Sequence, residues 1–167
     1  MTQHAAAEAL AMDGYVRKQA IGDTVVNVVL TVAINAALTS GLATVPGSLP
    51  FGNTAPNLGG TLVGIAVLQS LLLTPIVFAL TVSQRKAGKV APRLDPDVRT
   101  GATAGRLTLI HFALTLIGAL VLGAAIKGLA PDLALSRWGF VGLAGVISGA
   151  LAWFLSRSTT RGTLRLG

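Results

Sequence analysis

Residues 21–43, IGDTVVNVVLTVAINAALTSGLA, decide the fold. A hydrocarbon core about 30 Å thick is crossed by about 20 residues of helix, and this stretch is long and apolar enough to do so. Lipid offers the backbone no hydrogen-bond partner, so an apolar segment of this length must pair its own amides, which a helix does. Three further stretches of the same kind follow, at 62–82, 107–129 and 138–155. The reading is all-α: an integral membrane four-helix bundle.

The remainder of the chain agrees. Hydrophobic residues make up 52% of it and charged residues 11%, with a mean hydropathy of +0.71, whereas soluble domains carry about 25% charged residues. The longest connection, 83–106, is too short to fold as a domain. The expected organisation is an arm at 1–20, a transmembrane domain at 21–157 and a basic tail at 158–167. With no cysteine in the sequence, disulfides, thiolate metal sites and thiol redox chemistry are excluded.

Charge sets the orientation. Eleven of the thirteen Lys and Arg residues fall on alternate connections. Arg17 and Lys18 lie in the arm, Arg85, Lys86, Lys89, Arg93, Arg99 and Arg106 in 83–106, and Arg157, Arg161 and Arg165 in the tail. Lys127 and Arg137 stand on the other side, and 44–61 carries no Lys or Arg. Short basic connections stay in the cytoplasm, which places both termini there and 44–61 and 128–137 outside. The net charge of +7 would suggest nucleic acid in a soluble protein; here topology and anionic lipid headgroups account for it. Connection 83–106 lacks aromatics that could stack on bases, so no nucleic-acid partner is expected and the segment reads as a solvated link.

The arm is not expected to be a cleavable leader, because its charges come late and the first span carries Asn27, Thr31 and Asn35 where a leader is Leu-rich. Residues 5–19 read as a short helix on the cytoplasmic surface or a loose tail. Pro46, Gly47, Pro50, Gly52, Pro56, Gly59 and Gly60 make 44–61 an irregular outer loop, with Phe51 as an interfacial anchor.

Polar residues within the spans are the candidate functional positions. Asp23, Asn27, Thr31, Asn35 and Thr39 follow one another at intervals of four, so they form one row that winds slowly around the helix. Such a row must face other helices or a wet cavity. It reads either as interhelical hydrogen-bond glue or as a polar path, with Asp23 as a helix-start residue at the interface. In the second span, Pro75 leaves the Leu71 carbonyl without its usual partner and predicts a kink, which Thr74 is placed to relieve. Gln69 is expected to bond across to the Asn row.

The third span holds His111, with Thr108 and Thr115 on the same face. A lone membrane histidine can serve as axial ligand to a pigment or heme, but the only other histidine, His4, lies in the arm. The alternative is a hydrogen bond to a neighbouring helix. The fourth span carries Gly142, Gly145, Gly149 and Ala152, including a GxxxG at 145–149; this small-residue groove predicts close helix packing, with a mate inside the chain or on another subunit. Trp138 and Trp153 sit near its ends, as interfacial aromatics do.

Neither a carboxylate pair nor a Ser/His/acid set is evident, so the chain reads as non-enzymatic, with no metal or cofactor beyond the His111 alternative. The Asn-bearing VVNVVLTVAINAALT, the LTPIVFALTVSQRKAGK that closes the second span, and the aromatic-led WGFVGLAGVISGALAWFLS resemble, in order and kind, a group of small, uncharacterised four-span bacterial inner-membrane proteins. The resemblance covers most of 21–157 and implies architecture and bacterial inner-membrane location. The leading functional expectation is an accessory or assembly subunit that packs against other membrane proteins, or itself, through the fourth-span groove and the His111 face. A second is a small oligomeric transporter or channel using Asp23, Asn27, Thr31, Asn35 and Gln69 as its path. A third is a pigment- or heme-binding subunit through His111.

Overall fold

The computed structural model describes residues 3–47 and 56–166; Phe51 and its expected anchoring role lie outside them. In chain order the elements are α1 (Gln3–Leu38), strand β1 (Thr44–Pro46), α2 (Leu58–Leu68), one π-helical turn (Gln69–Leu73), α3 (Thr74–Lys86), α4 (Gly101–Leu129), strand β2 (Ala134–Ser136) and α5 (Arg137–Leu164). The π turn joins α2 and α3 into one rod. The described residues thus contain four helices long and apolar enough to cross a membrane: Leu10–Leu38, Leu58–Lys86, Gly101–Leu129 and Arg137–Leu164.

Local chemistry accounts for the helix ends. The Asn57 side chain accepts from the Gly60 amide at 2.7 Å and starts α2, and Ser136 caps α5 by accepting from the Gly139 amide at 3.2 Å. Pro75 has no amide to donate, and the helix widens into the π turn just before it. Thr74, expected to relieve the freed backbone, instead turns its hydroxyl to His111 at 3.1 Å. Ser70 supplies local backbone bonding, donating to the Ala66 carbonyl at 2.6 Å.

Helix α5 is the hub. It carries α1 antiparallel along one side and the α2–α3 rod on the other, while α4 packs on α2 and α3. The α1–α5 contact depends on two glycines. A Cβ on Gly145 would lie 2.8 Å from Val32 Cγ2, and one on Gly149 would lie 2.7 Å from Val28 Cγ2, closer than carbon atoms approach. The mate of the small-residue groove is therefore α1 of the same chain. Ala152 is fully buried beside it, against Leu73, Val77 and Leu155, whereas Gly142 has nothing within 4 Å of its Cβ position among the described residues.

At one end the two connections meet. β1 and β2 pair antiparallel, Val45 opposite Leu135, and Val45 closes an apolar cluster with Leu58, Leu62, Phe140 and Val141. The breaker-rich loop was expected to be irregular; its first residues find strand partners in a connection 90 positions away (Thr44 with Ser136, offset by 92). Arg137 donates from Nη2 to the Ala36 carbonyl at 2.8 Å, capping the last turn of α1.

The basic end corrects three further expectations. The arm is not a loose tail: α1 continues through it without a break, with Val16 and Ala20 buried and Asp13 paired to Arg161 at 2.9 Å. Asp23 accordingly lies mid-helix, well past any helix start. The tail is likewise helical to Leu164, with Thr159, Thr160 and Thr163 buried. Connection 83–106 is more than a solvated link, because Leu94 is buried against Phe78 and Val82. A completely covered Arg85 holds it down, donating from Nε to the Pro92 carbonyl at 2.7 Å, from Nη1 to Thr163 at 2.5 Å and from Nη2 to Leu166 at 2.8 Å.

Candidate functional site

The row on α1 and Gln69 on the π turn converge on one groove. It lies between α1 and the α2–α3 rod, encloses about 450 Å³, and is lined by Asp23, Asn27, Thr31, Asn35 and Gln69 together with apolar residues such as Leu30, Ile34, Leu68 and Leu72. A second hollow of about 340 Å³ shares Ile34, Asn35, Ile65 and Leu68 with it and continues to Asn57 and Gly60 at the start of α2. From Asp23 to Asn35 the helical rise alone makes the floor about 18 Å long. The groove exists because α1 and the rod both lean on α5 rather than on each other.

Most of the donors on the floor are already used. Asn27 Nδ2 bonds the Asp23 carbonyl at 2.8 Å, Asn35 Nδ2 bonds the Thr31 carbonyl at 2.9 Å, and Thr39 donates to the Asn35 carbonyl at 2.6 Å. Each side chain thus bonds one turn back on its own helix, as small polar residues do in helices. Asp23 accepts from Ser156 of α5 and from Gln19, at 3.2 Å.

Gln69 does not reach the Asn row directly. Its Nε2 donates to Ser148 of α5, to Oγ at 2.5 Å and to the carbonyl at 3.2 Å. Ser148 Oγ in turn shares a hydrogen bond with the Thr31 hydroxyl at 2.7 Å and lies 3.3 Å from the Asn27 carbonyl as donor. Ser148 is therefore the knot that ties three helices. Gln69 Oε1 is enclosed and has no partner among the described residues. Leaving a buried acceptor unpaired costs about 1–3 kcal/mol, so this oxygen is a weak point of the packing beneath the groove.

No family model, no curated protein and no solved structure matches this chain. Its chemistry is read from geometry alone.

His111 is buried, its Nδ1 lying 3.1 Å from the Thr74 hydroxyl and 3.5 Å from that of Thr159, and its Nε2 3.1 Å from Ser158 Oγ. The ring also meets Phe154 edge-on, centroids 6.2 Å apart. Both ring nitrogens are engaged, so an axial bond to a pigment or heme would have to displace a hydroxyl. What His111 does in this arrangement is join α3, α4 and α5. Thr115, on the same face, lies 3.2 Å from the Phe112 carbonyl as donor.

Two residues of the network were not singled out from sequence as sites. Ser148 sits inside the GxxxG motif, where its neighbours drew attention as spacers. Arg85 was counted only as one of several loop charges; the Leu94 and Val98 among the charges of 83–106 were the available sign that this segment folds back.

Proposed function

We propose that this chain is a non-enzymatic, multi-pass protein of the bacterial inner membrane, both termini cytoplasmic, that serves as an accessory or assembly subunit. It seats an apolar segment of another membrane protein in the groove between α1 and the α2–α3 rod. The observation that carries the reading is that groove: apolar walls, a polar floor whose donors are mostly paired within the chain, and length comparable to several helical turns. The two faces first expected to meet partners are occupied within the chain, Gly145 and Gly149 by α1 and His111 by hydroxyls.

Membrane placement is supported by the inverted distribution of polarity. Gln69, Thr81, Arg85, His111, Ser148 and Thr160 are buried, while Val25, Val29, Leu72, Leu109, Ile117 and Val121 are exposed. In water such a surface would be a very large apolar patch; in lipid it is solvated. The basic connection and both helix ends that flank it gather at one end, as a cytoplasmic face requires.

The test is photocrosslinking from Leu30 or Ile34 in the native host, followed by mild detergent purification and mass spectrometry. One stoichiometric membrane partner is expected from these positions and none from Leu109 on α4. A homo-oligomer crosslinked only to lipid overturns the reading.

A second reading, a small oligomeric transporter, rests on Asp23, Asn27, Thr31, Asn35 and Gln69 all lining one groove. Because the chain has no cysteine, Asn27→Cys and Asn35→Cys can be probed singly with a water-soluble maleimide. A path predicts reaction at both positions in intact membranes; a groove filled by a partner predicts protection at both.

A further inference from the structure

A different feature lies on the opposite side of α5. Arg157, Arg161 and Arg165 follow at intervals of four, so their guanidinium groups share one face. Like charges at this spacing destabilise a helix, and one carboxylate, Asp13 on Arg161, offsets them among the described residues. At the helix C-terminus it is Arg85, not these three, that bonds the Thr163 and Leu166 carbonyls. Together the three arginines line a pocket of about 470 Å³ with Ser158, whose Oγ is bonded to His111. Arg157 leans on the Trp153 ring at 5.9 Å, and its Nε is enclosed without a partner among the described residues.

The floor of this pocket is apolar. Leu107 and Phe154 form it, and Phe154 also lines a cleft of about 400 Å³ between α4 and α5, walled by Leu114, Leu122, Ile147 and Leu151 and backed by Leu62 and Ile65 of α2. The basic mouth and the apolar slot thus share Phe154 as a common wall.

We propose that this composite site binds a phosphate ester, supplied by the headgroup of an anionic phospholipid whose acyl chain lies in the α4–α5 cleft. Guanidinium groups suit phosphate because their donors match its oxygens in pairs. A free phosphate would use the mouth alone and leave the slot empty; the slot is what favours a lipid.

The proposal rests on the membrane placement above, which alkaline extraction of membranes tests separately. The site itself is tested on the full chain, delipidated in detergent, by native mass spectrometry with phosphatidylglycerol, phosphatidylcholine and inorganic phosphate. One phosphatidylglycerol is expected to be retained per chain in preference to phosphatidylcholine. Arg157→Gln should weaken retention about five-fold and Arg157→Gln with Arg161→Gln about twenty-five-fold, following the usual contribution of one basic residue near an anionic headgroup. Gly118→Leu, which projects into open space in the cleft, should lower lipid retention with every arginine in place. Lys89→Gln with Arg99→Gln removes as much charge from outside the site and should change nothing. Equal retention of phosphatidylcholine, an equal loss from the Lys89/Arg99 variant, or binding of inorganic phosphate with lipid retention insensitive to Gly118→Leu would each overturn it. A chain that resists extraction yet shows no lipid preference sinks the site and leaves the membrane reading intact.

Discussion

Replacing Arg85 with methionine should destabilise the protein by about 3–5 kcal/mol and loosen one end of it selectively. The guanidinium is fully covered and reaches the carbonyls of Pro92, Thr163 and Leu166. Hydrogen bonds from a charged donor contribute about 1.5–3 kcal/mol each, and bonds in one network do not add fully, so the total falls below the simple sum. Burying the charge has a desolvation cost, and a well-packed apolar residue can offset its removal where both partners go. Here only the donor goes. Three carbonyls lose their charged donor, and that of Thr163 keeps only backbone amides, the Leu166 N–H at 3.2 Å among them. Arg85→Lys keeps the charge but presents one nitrogen where three diverging donors are needed, so it should recover less than half of the loss. The assay is denaturant unfolding in detergent micelles, read with hydrogen exchange by segment. Exchange should rise in 90–98 and 160–166 while 28–36 stays protected. A variant within about 0.5 kcal/mol of the parent, with unchanged exchange at 160–166, would refute the idea that Arg85 clamps this end.

Three further outcomes follow from the packing. Gly149→Val should cost about 1–3 kcal/mol, the usual price of overpacking, because even its Cβ would meet Val28 at 2.7 Å; reduced α1 protection in hydrogen exchange checks it, and Gly142→Val, with nothing within 4 Å, should be neutral. Ser148→Ala strips Gln69 and Thr31 of their common partner and should cost about 1–3 kcal/mol, while Gln69→Leu in that background should restore part of it; a double-mutant cycle that is strictly additive would contradict the three-helix knot. Cysteines placed at Lys89 and Asp132 should label from opposite sides of the membrane, Lys89→Cys only after permeabilisation, as the distribution of Lys and Arg requires.

The polar row shows how far sequence reasoning carries. Intervals of four place Asp23, Asn27, Thr31 and Asn35 on one strip of helix whatever the surroundings, and all four line the same groove. What the row bonds to was not legible: Asn27 and Asn35 turn back on α1, and Gln69 meets the row only through Ser148. Any of several hydroxyls could have held that place, and nothing in its immediate neighbours distinguishes Ser148. Arg85 was hidden for a related reason. Orientation depends on how many basic residues a connection holds, so the one that leaves solvent to cap carbonyls looks like its neighbours.

Helix formation itself needed no tertiary information. Apolar runs of sufficient length must satisfy their own amides in lipid, and that constraint is local. The alternation of Lys and Arg is likewise a property of segments taken one at a time. Neighbourhood is different. Thr31 and Ser148 meet across 117 residues and Gln69 and Ser148 across 79, and the strand pairing of Val45 with Leu135 joins loops that carry no sign of each other. The choice of α1 as the mate of Gly145 and Gly149 turns on shape, because two valines at the right height fill the hollow that two glycines leave. Once α1 and the α2–α3 rod both settle on α5, a groove between them is the geometric consequence. The sequence by itself determined four apolar helices and the row of polar side chains on the first; only the tertiary packing decided that the row would line a groove.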